Sequence, residues 1–193
     1  MIKKGEIPMK ILIASDIHGS ARYCRELVDL YHASGAERML LLGDLLYHGP
    51  RNDLPEEYAP KEVIRMLSDL RDEIFAVRGN CEAEVDQMVL PFPVMADYCI
   101  LPVCAGTRIL YATHGHVYHE GNRPPMKKWD ILLHGHTHVW KAEKRDGYYL
   151  LNPGSVSLPK EGNPRTCAFL EEDIFTVTDL SGKELCSIDL TQE

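Results

Sequence analysis

The sequence predicts an α/β domain in which two β-sheets pack together and helices lie outside. Two textures point to it. Residues 10–80 alternate short apolar runs with segments of helical spacing, whereas from "PFPVM" onward apolar runs follow one another with short connections. The first texture predicts strands paired in parallel through right-handed crossovers, and the second predicts a β-rich half.

The elements follow in order. "KILIAS" is the first expected strand, and "SARYCRELVDLYHASG" has helical spacing with Gly35 placed to cap its C-terminus. "RMLLLGD" is a second strand. "PKEVIRMLSDLRD" opens on Pro60, suited to a helix N-terminus, and carries Val63, Ile64, Met66, Leu67 and Leu70 on one face. "EIFAVRGN" is a third strand. "DYCILPVCAG", "TRILYATHGH" and "DILLHGHTH" are strands with shorter connections, the last expected to run on into its histidines. Alternation along that strand would project His136 and His138 together, with His134 alongside. Asp146-Gly147 signals a hairpin, and "TCAFLEEDIFTVTDLSGKELCSIDL" reads as a closing β-meander. One domain over 1–193 is expected, with residues 1–8, ahead of Met9, as an N-terminal extension.

Composition narrows the function classes. A chain 45% hydrophobic and 26% charged suits an ordinary globular protein, and a net charge of −8 without a basic run disfavours a general nucleic-acid binder. No apolar run approaches the length of a membrane span. Six cysteines, none spaced C-x-x-C, read as reduced thiols and a cytoplasmic location.

The expected strands share polar C-terminal ends. The first runs into Asp16 and His18, the second into Asp44, the third into Asn80, a later one into His114 and His116, and another into the "HGHTH" run. Sites in open α/β folds form outside these strand ends. Two carboxylates, an amide oxygen and several imidazoles exceed the needs of one zinc ion and suffice for two divalent ions sharing a carboxylate.

The series "SDIHG", "GDLLYHGPRN", "RGNCE", "THGH", "GHTH" and "NPGS" resembles the calcineurin-like metallophosphoesterase superfamily. "HGPRN", "AVRGNCEAEVDQM" and "NPGSVSLPKEGNP" are similar to its small bacterial phosphodiesterases of the YfcE type. The resemblance implies the metallo-dependent phosphatase fold, a four-layer α/β/β/α sandwich of two mixed sheets. It implies Asp16, His18 and His138 around one ion, Asn80, His114 and His136 around another, and Asp44 between them; His134, which precedes the G-H-x-H motif, is read as supporting these ligands. The expected cofactors are two divalent transition-metal ions, manganese first, with zinc, iron, nickel or cobalt as alternatives.

The expected reaction is hydrolysis of a small phosphodiester by hydroxide held between the ions, with Asn80, His114, His48 and Arg51 as candidate catalytic residues. Many superfamily members carry histidine after the G-N pair; Cys81 stands there in this chain, as in the YfcE-like subgroup, and a thiol is a poor proton donor at neutral pH. His116 and His119 are the alternative donors. A homo-oligomer, dimer or tetramer, is the expected assembly.

The rival reading is a scaffold like the retromer subunit Vps29, which keeps this fold with an altered metal site; all seven ligand positions here carry ligating side chains, which favours the enzyme. A metallo-β-lactamase needs an Asp-His pair after H-x-H, but Val139 follows His138. An amidohydrolase barrel needs a longer chain.

Overall fold

Strand β1 (Ile11–Ala14) is buried on both faces, and its side chains sort by parity. Leu12 and Ala14 face a helical layer, while Ile11 and Ile13 face a second sheet. The computed structural model describes residues 9–192, so the expected extension over 1–8 lies outside the described residues.

Helix α1 (Ala21–Ser34) starts at Ser20, whose hydroxyl accepts the Tyr23 amide, and stops at Gly35 in the left-handed conformation (φ 73°). Strand β2 (Arg38–Leu41), helix α2 (Pro60–Asp69, with proline in its first turn) and strand β3 (Ile74–Ala76) follow. A short helix, α3 (Glu84–Val89), has no counterpart in the sequence reading; none of its residues is buried, so it has no apolar stripe to betray it. The second half contains β4 (Tyr98–Val103), β5 (Arg108–Thr113), β6 (Ile131–His134), β7 (Lys141–Arg145) and β8 (Tyr148–Asn152). It closes with β9 (Thr166–Glu171), β10 (Ile174–Asp179) and β11 (Glu184–Asp189).

The strands form two mixed sheets, ordered β11-β10-β9-β1-β2-β3 and β4-β5-β6-β8-β7. The pairs β1–β2 and β2–β3 are parallel, as the alternation predicts, and so are β5–β6 and β6–β8. The meander β9–β11 joins the first sheet antiparallel to β1. Between the sheets lie Ile13, Leu40, Leu42 and Val77 from one side and Leu110, Leu133, Tyr149 and Leu151 from the other. Helices α1 and α2 cover the outer face of the first sheet through Leu27, Val63 and Leu67. On the outer face of the second sheet, Leu132, Tyr148 and Leu150 pack with Met126 from the long β5–β6 connection, which holds no α-helix.

This is the expected sandwich of two mixed sheets. Parallel strands aim their C-terminal ends the same way, so β1, β2, β3, β5 and β6 deliver their loops to one rim. Among the described residues, no helix is long and apolar enough to cross a membrane. All six cysteines are free.

Candidate metal centre

At that rim, five of the seven expected ligands have a left-handed backbone: Asp16 (φ 61°), His18 (49°), Asp44 (55°), His136 (65°) and His138 (61°). Such a residue costs on the order of 1–3 kcal/mol and persists only where its surroundings fix it. Here they do. The Asp16 amide donates to Gly43 O at 3.1 Å, the His18 amide to Asp44 O at 2.8 Å and the Gly19 amide to Leu45 O at 2.9 Å, so the loops after β1 and β2 brace one another. Ser155 and Ser157, both buried, each donate a hydroxyl to Asp16 O at 3.0 Å.

The strand expected to continue through "HGHTH" ends instead at His134. The positive φ values at His136 and His138 replace strand alternation, so the two rings take separate places. His136 Nδ1 lies 3.1 Å from His114 Nε2, while His138 Nε2 lies 3.1 Å from Asp16 Oδ1. The buried ring of His134 serves the turn, with Nδ1 3.0 Å from Gly135 O. Gly135 admits no side chain: a Cβ there would sit 1.9 Å from Ser15 Oγ.

Two groups of acceptors result. Asp16, His18 and His138 converge, with the Nε2 atoms of His18 and His138 only 3.4 Å apart. Asn80 Oδ1 and His136 Nδ1 each lie 3.1 Å from His114 Nε2. Asp44 Oδ2 stands between the groups, 3.7 Å from His18 Nε2 and 3.5 Å from His114 Nε2.

The remaining ring nitrogens are already committed. Nδ1 of His18, His114 and His138 lies 2.8, 2.7 and 2.6 Å from the carbonyls of Tyr47, Leu42 and Leu158. A carbonyl only accepts, so each Nδ1 carries a proton, which leaves Nε2 turned inward as the nitrogen that can offer a lone pair to a cation. These nitrogens face one another and carboxylates, and the fully buried Asp16 Oδ1 has no hydrogen-bond donor. Divalent cations answer this arrangement, and the carbonyl contacts are the kind that orient metal-bound histidines. The residues present therefore fit a metal centre.

In the metal-free cluster the carboxylates and imidazoles share charge, and an incoming cation displaces protons from the rings. Burial resists ionisation of Asp16, yet His138 and His18 hold its carboxyl well below the usual range. Burial also resists charge on His18, but Asp16 outweighs it and raises the imidazole's pKa. Burial and then the neighbouring His114 push His136 down to about 4, which keeps it neutral and able to ligate at pH 7. Burial and then Asp44 push the Cys81 thiol up, so it stays protonated beside the carboxylates.

A cleft of about 470 Å³ opens onto this centre, lined by Arg51, Asn52, Asn80, Cys81, His136, His138 and Lys160 among others. Arg51 thus reaches the site. His48 is absent from the cleft wall; its ring packs edge-on against Tyr47 and Tyr58. His116 and His119 line a neighbouring pocket with His134 and His136. Two residues escaped the sequence reading. Lys160 carries no signal apart from its place in the "NPGSVSLPKEGNP" stretch. The buried Glu82 accepts the amides of Asp44, Leu45 and Gly79 at 2.9, 2.7 and 2.5 Å, tying the loop after β2 to the loop after β3. A carboxylate three residues after Gly79 was the only sign of it.

Comparison with known proteins agrees with this geometry. Residues 9–173 match the model of the calcineurin-like phosphoesterase superfamily domain. Phosphodiesterase YfcE of Escherichia coli K12 is 44% identical over 177 residues, covering 92% of this chain and 95% of that protein. The structure of YfcE, described as a phosphoesterase from E. coli, aligns at a TM-score of 0.91 and 41% identity, over 95% of this chain and 100% of that one. Vps29 of Entamoeba histolytica shares the fold at a TM-score of 0.59 and 22% identity, over 94% and 99% of the two chains.

Proposed function

We propose, because this chain belongs to the calcineurin-like phosphoesterase superfamily, that it is a metal-dependent phosphodiesterase working at a dinuclear centre. The chain is a hydrolase of phosphoric esters; the finer reading concerns which esters, with which ions, in which hands. Its main support is the position of Asp44 Oδ2 between His18 and His114. In this reading Asp16, His18 and His138 hold one ion, Asn80, His114 and His136 hold the other, and Asp44 is shared. Two such ions, once bound, supply an acidified water as nucleophile and neutralise the phosphate oxygens. Manganese suits the mixed oxygen and nitrogen donors, with zinc, iron, nickel and cobalt as alternatives.

The side chains divide the remaining work. Arg51 and Lys160 line the same cleft and draw an anionic ester into a protein whose net charge is −8. The Arg51 guanidinium suits two non-bridging oxygens at once and orients the phosphorus for in-line attack. The Asn80 amide, at the cleft edge, holds its oxygen toward His114. His48 steadies the loop bearing Arg51 through Tyr47 and Tyr58. The raised pKa of Cys81 deprives the leaving oxygen of a strong acid at this position, which favours aryl oxides over alkoxides. The cleft volume suits a small diester. A cytoplasmic dimer or tetramer of one domain completes the reading.

The test is hydrolysis by metal-stripped protein reloaded ion by ion, across aryl and alkyl phosphodiesters and monoesters. Aryl phosphodiesters with manganese should give the highest kcat/KM. A protein inert toward every phosphoric ester with every ion would sink the enzyme reading, and a preference for monoesters would sink the diesterase assignment.

A further inference from the structure

Cys81 stands closer to the metal centre than a cleft-lining residue needs to. Its Sγ, a ring nitrogen of His18 and a carboxylate oxygen of Asp44 all lie within 4.8 Å of one another. The placement is braced, because the Cys81 amide donates to Asp44 Oδ1 at 2.9 Å. The Asn80 side-chain amide lies 3.3 Å from the sulfur. An independent feature points at a cation beside the shared His18: Asp16 Oδ1, fully buried and without a donor, lies 3.5 Å from His18 Nε2.

We propose that His18, Asp44 and Cys81 form an alternative coordination set, overlapping that of the first ion, which captures thiophilic divalent cations such as zinc, cadmium or cobalt through sulfur. A hard ion such as manganese has little use for a thiol and stays with the oxygen and nitrogen donors. A thiophilic ion gains a sulfur bond by moving toward Cys81. On binding, the S–H bond breaks, its proton passes to solvent, and the sulfur electron pair forms the bond to the metal. The same protein thus holds its first ion in two ways, chosen by the softness of the ion. Because Cys81 lines the cleft, a sulfur-bound ion also stands where the ester must enter, so zinc should slow a manganese-loaded enzyme. That consequence rests on the proposed function; the coordination does not.

Cobalt(II) provides the probe. The metal-stripped full-length chain, loaded with one equivalent of cobalt, should show a near-ultraviolet thiolate-to-cobalt charge-transfer band. Cys81→Ser and Cys81→Ala should both bind cobalt without that band, the alanine variant removing sulfur without adding an oxygen ligand. In competition, the preference for zinc over manganese should fall at least about tenfold in Cys81→Ala, a loss common even for groups one shell beyond a metal. Cobalt bound to the wild type without a sulfur band, or a band that survives in Cys81→Ala, would overturn the proposal. The spectrum needs no substrate, so its failure leaves the hydrolase reading untouched, and a failed hydrolysis assay leaves the spectrum interpretable.

Discussion

A carboxylate oxygen of Glu82 accepts the main-chain amide of Asp44 at 2.9 Å, and the same oxygen accepts the Gly79 amide at 2.5 Å. One buried side chain therefore fixes the distance between the loop carrying Asp44 and the loop carrying Asn80. Glycine makes the approach possible, since a Cβ on Gly43 would lie 2.4 Å from Gly79 N.

Glu82→Gln tests this link. The amide replaces one acceptor oxygen with an N–H₂ group that meets backbone donors. Leaving a buried donor unmatched costs about 1–3 kcal/mol, and lost support behind metal ligands weakens retention roughly 10- to 100-fold. Thermal unfolding of the metal-free variant and metal content after dialysis measure the two effects. Unchanged metal retention would remove Glu82 from the centre.

Asp44→Asn keeps the shape of the side chain and removes its charge. If Asp44 is shared by two ions, the variant should lose metal from both groups, with turnover falling in parallel. Elemental analysis after gel filtration decides the matter. Two ions retained at full activity would show that Asp44 bridges nothing.

Gly135→Ala should unfold the junction between the sheets. Its Cβ would meet Ser15 Oγ at 1.9 Å and Ser15 Cβ at 2.7 Å. Overpacking of this kind costs about 1–3 kcal/mol, read as a lowered denaturant midpoint. Ser15→Gly in the same chain should restore part of the loss.

His134 contributes, beside His136 and His116, to the pH dependence of the metal-free chain. Burial lowers its pKa from the ordinary 6.5, so the folded state keeps the ring neutral where the unfolded state takes up a proton. That contribution to stability is complete above pH 6.5 and is lost as the pH falls through the lowered folded value. His134→Gln should flatten the acid side of the stability curve, measured by unfolding between about pH 5 and 8. An identical slope in both proteins would show that His134 titrates alike folded and unfolded.

Much of this was legible in the sequence because the signals were local. Ser20 and Gly35 bound α1 as their chemistry predicts, and Asp146-Gly147 joins β7 to β8. Asp16, His18, Asp44, Asn80, His114, His136 and His138 stood out because each follows an apolar run, and the structure gathers all seven. What stayed hidden depends on contacts across the chain. Alternation misplaced His136 and His138, since periodicity carries no sign of a left-handed backbone held by a neighbouring loop. His48 looked as eligible as Arg51, and only packing against Tyr58 separates them. Glu82 reads as a surface acid until the three amides around it are seen.

The centre draws Asp16, His18, Asp44 and Asn80 from loops of the first sheet and His114, His136 and His138 from loops of the second. Those sheets meet mainly through apolar side chains, which are non-directional, with a few polar links such as the Tyr149 hydroxyl donating to Asp189 O at 3.2 Å. Ions held across the rim would act as a rivet against sliding of one sheet over the other. Amide protons at the ends of β1, β2, β5 and β6 should then exchange together, as one opening unit, when metal is present. Stripping the metal should let the two sheets exchange at separate rates.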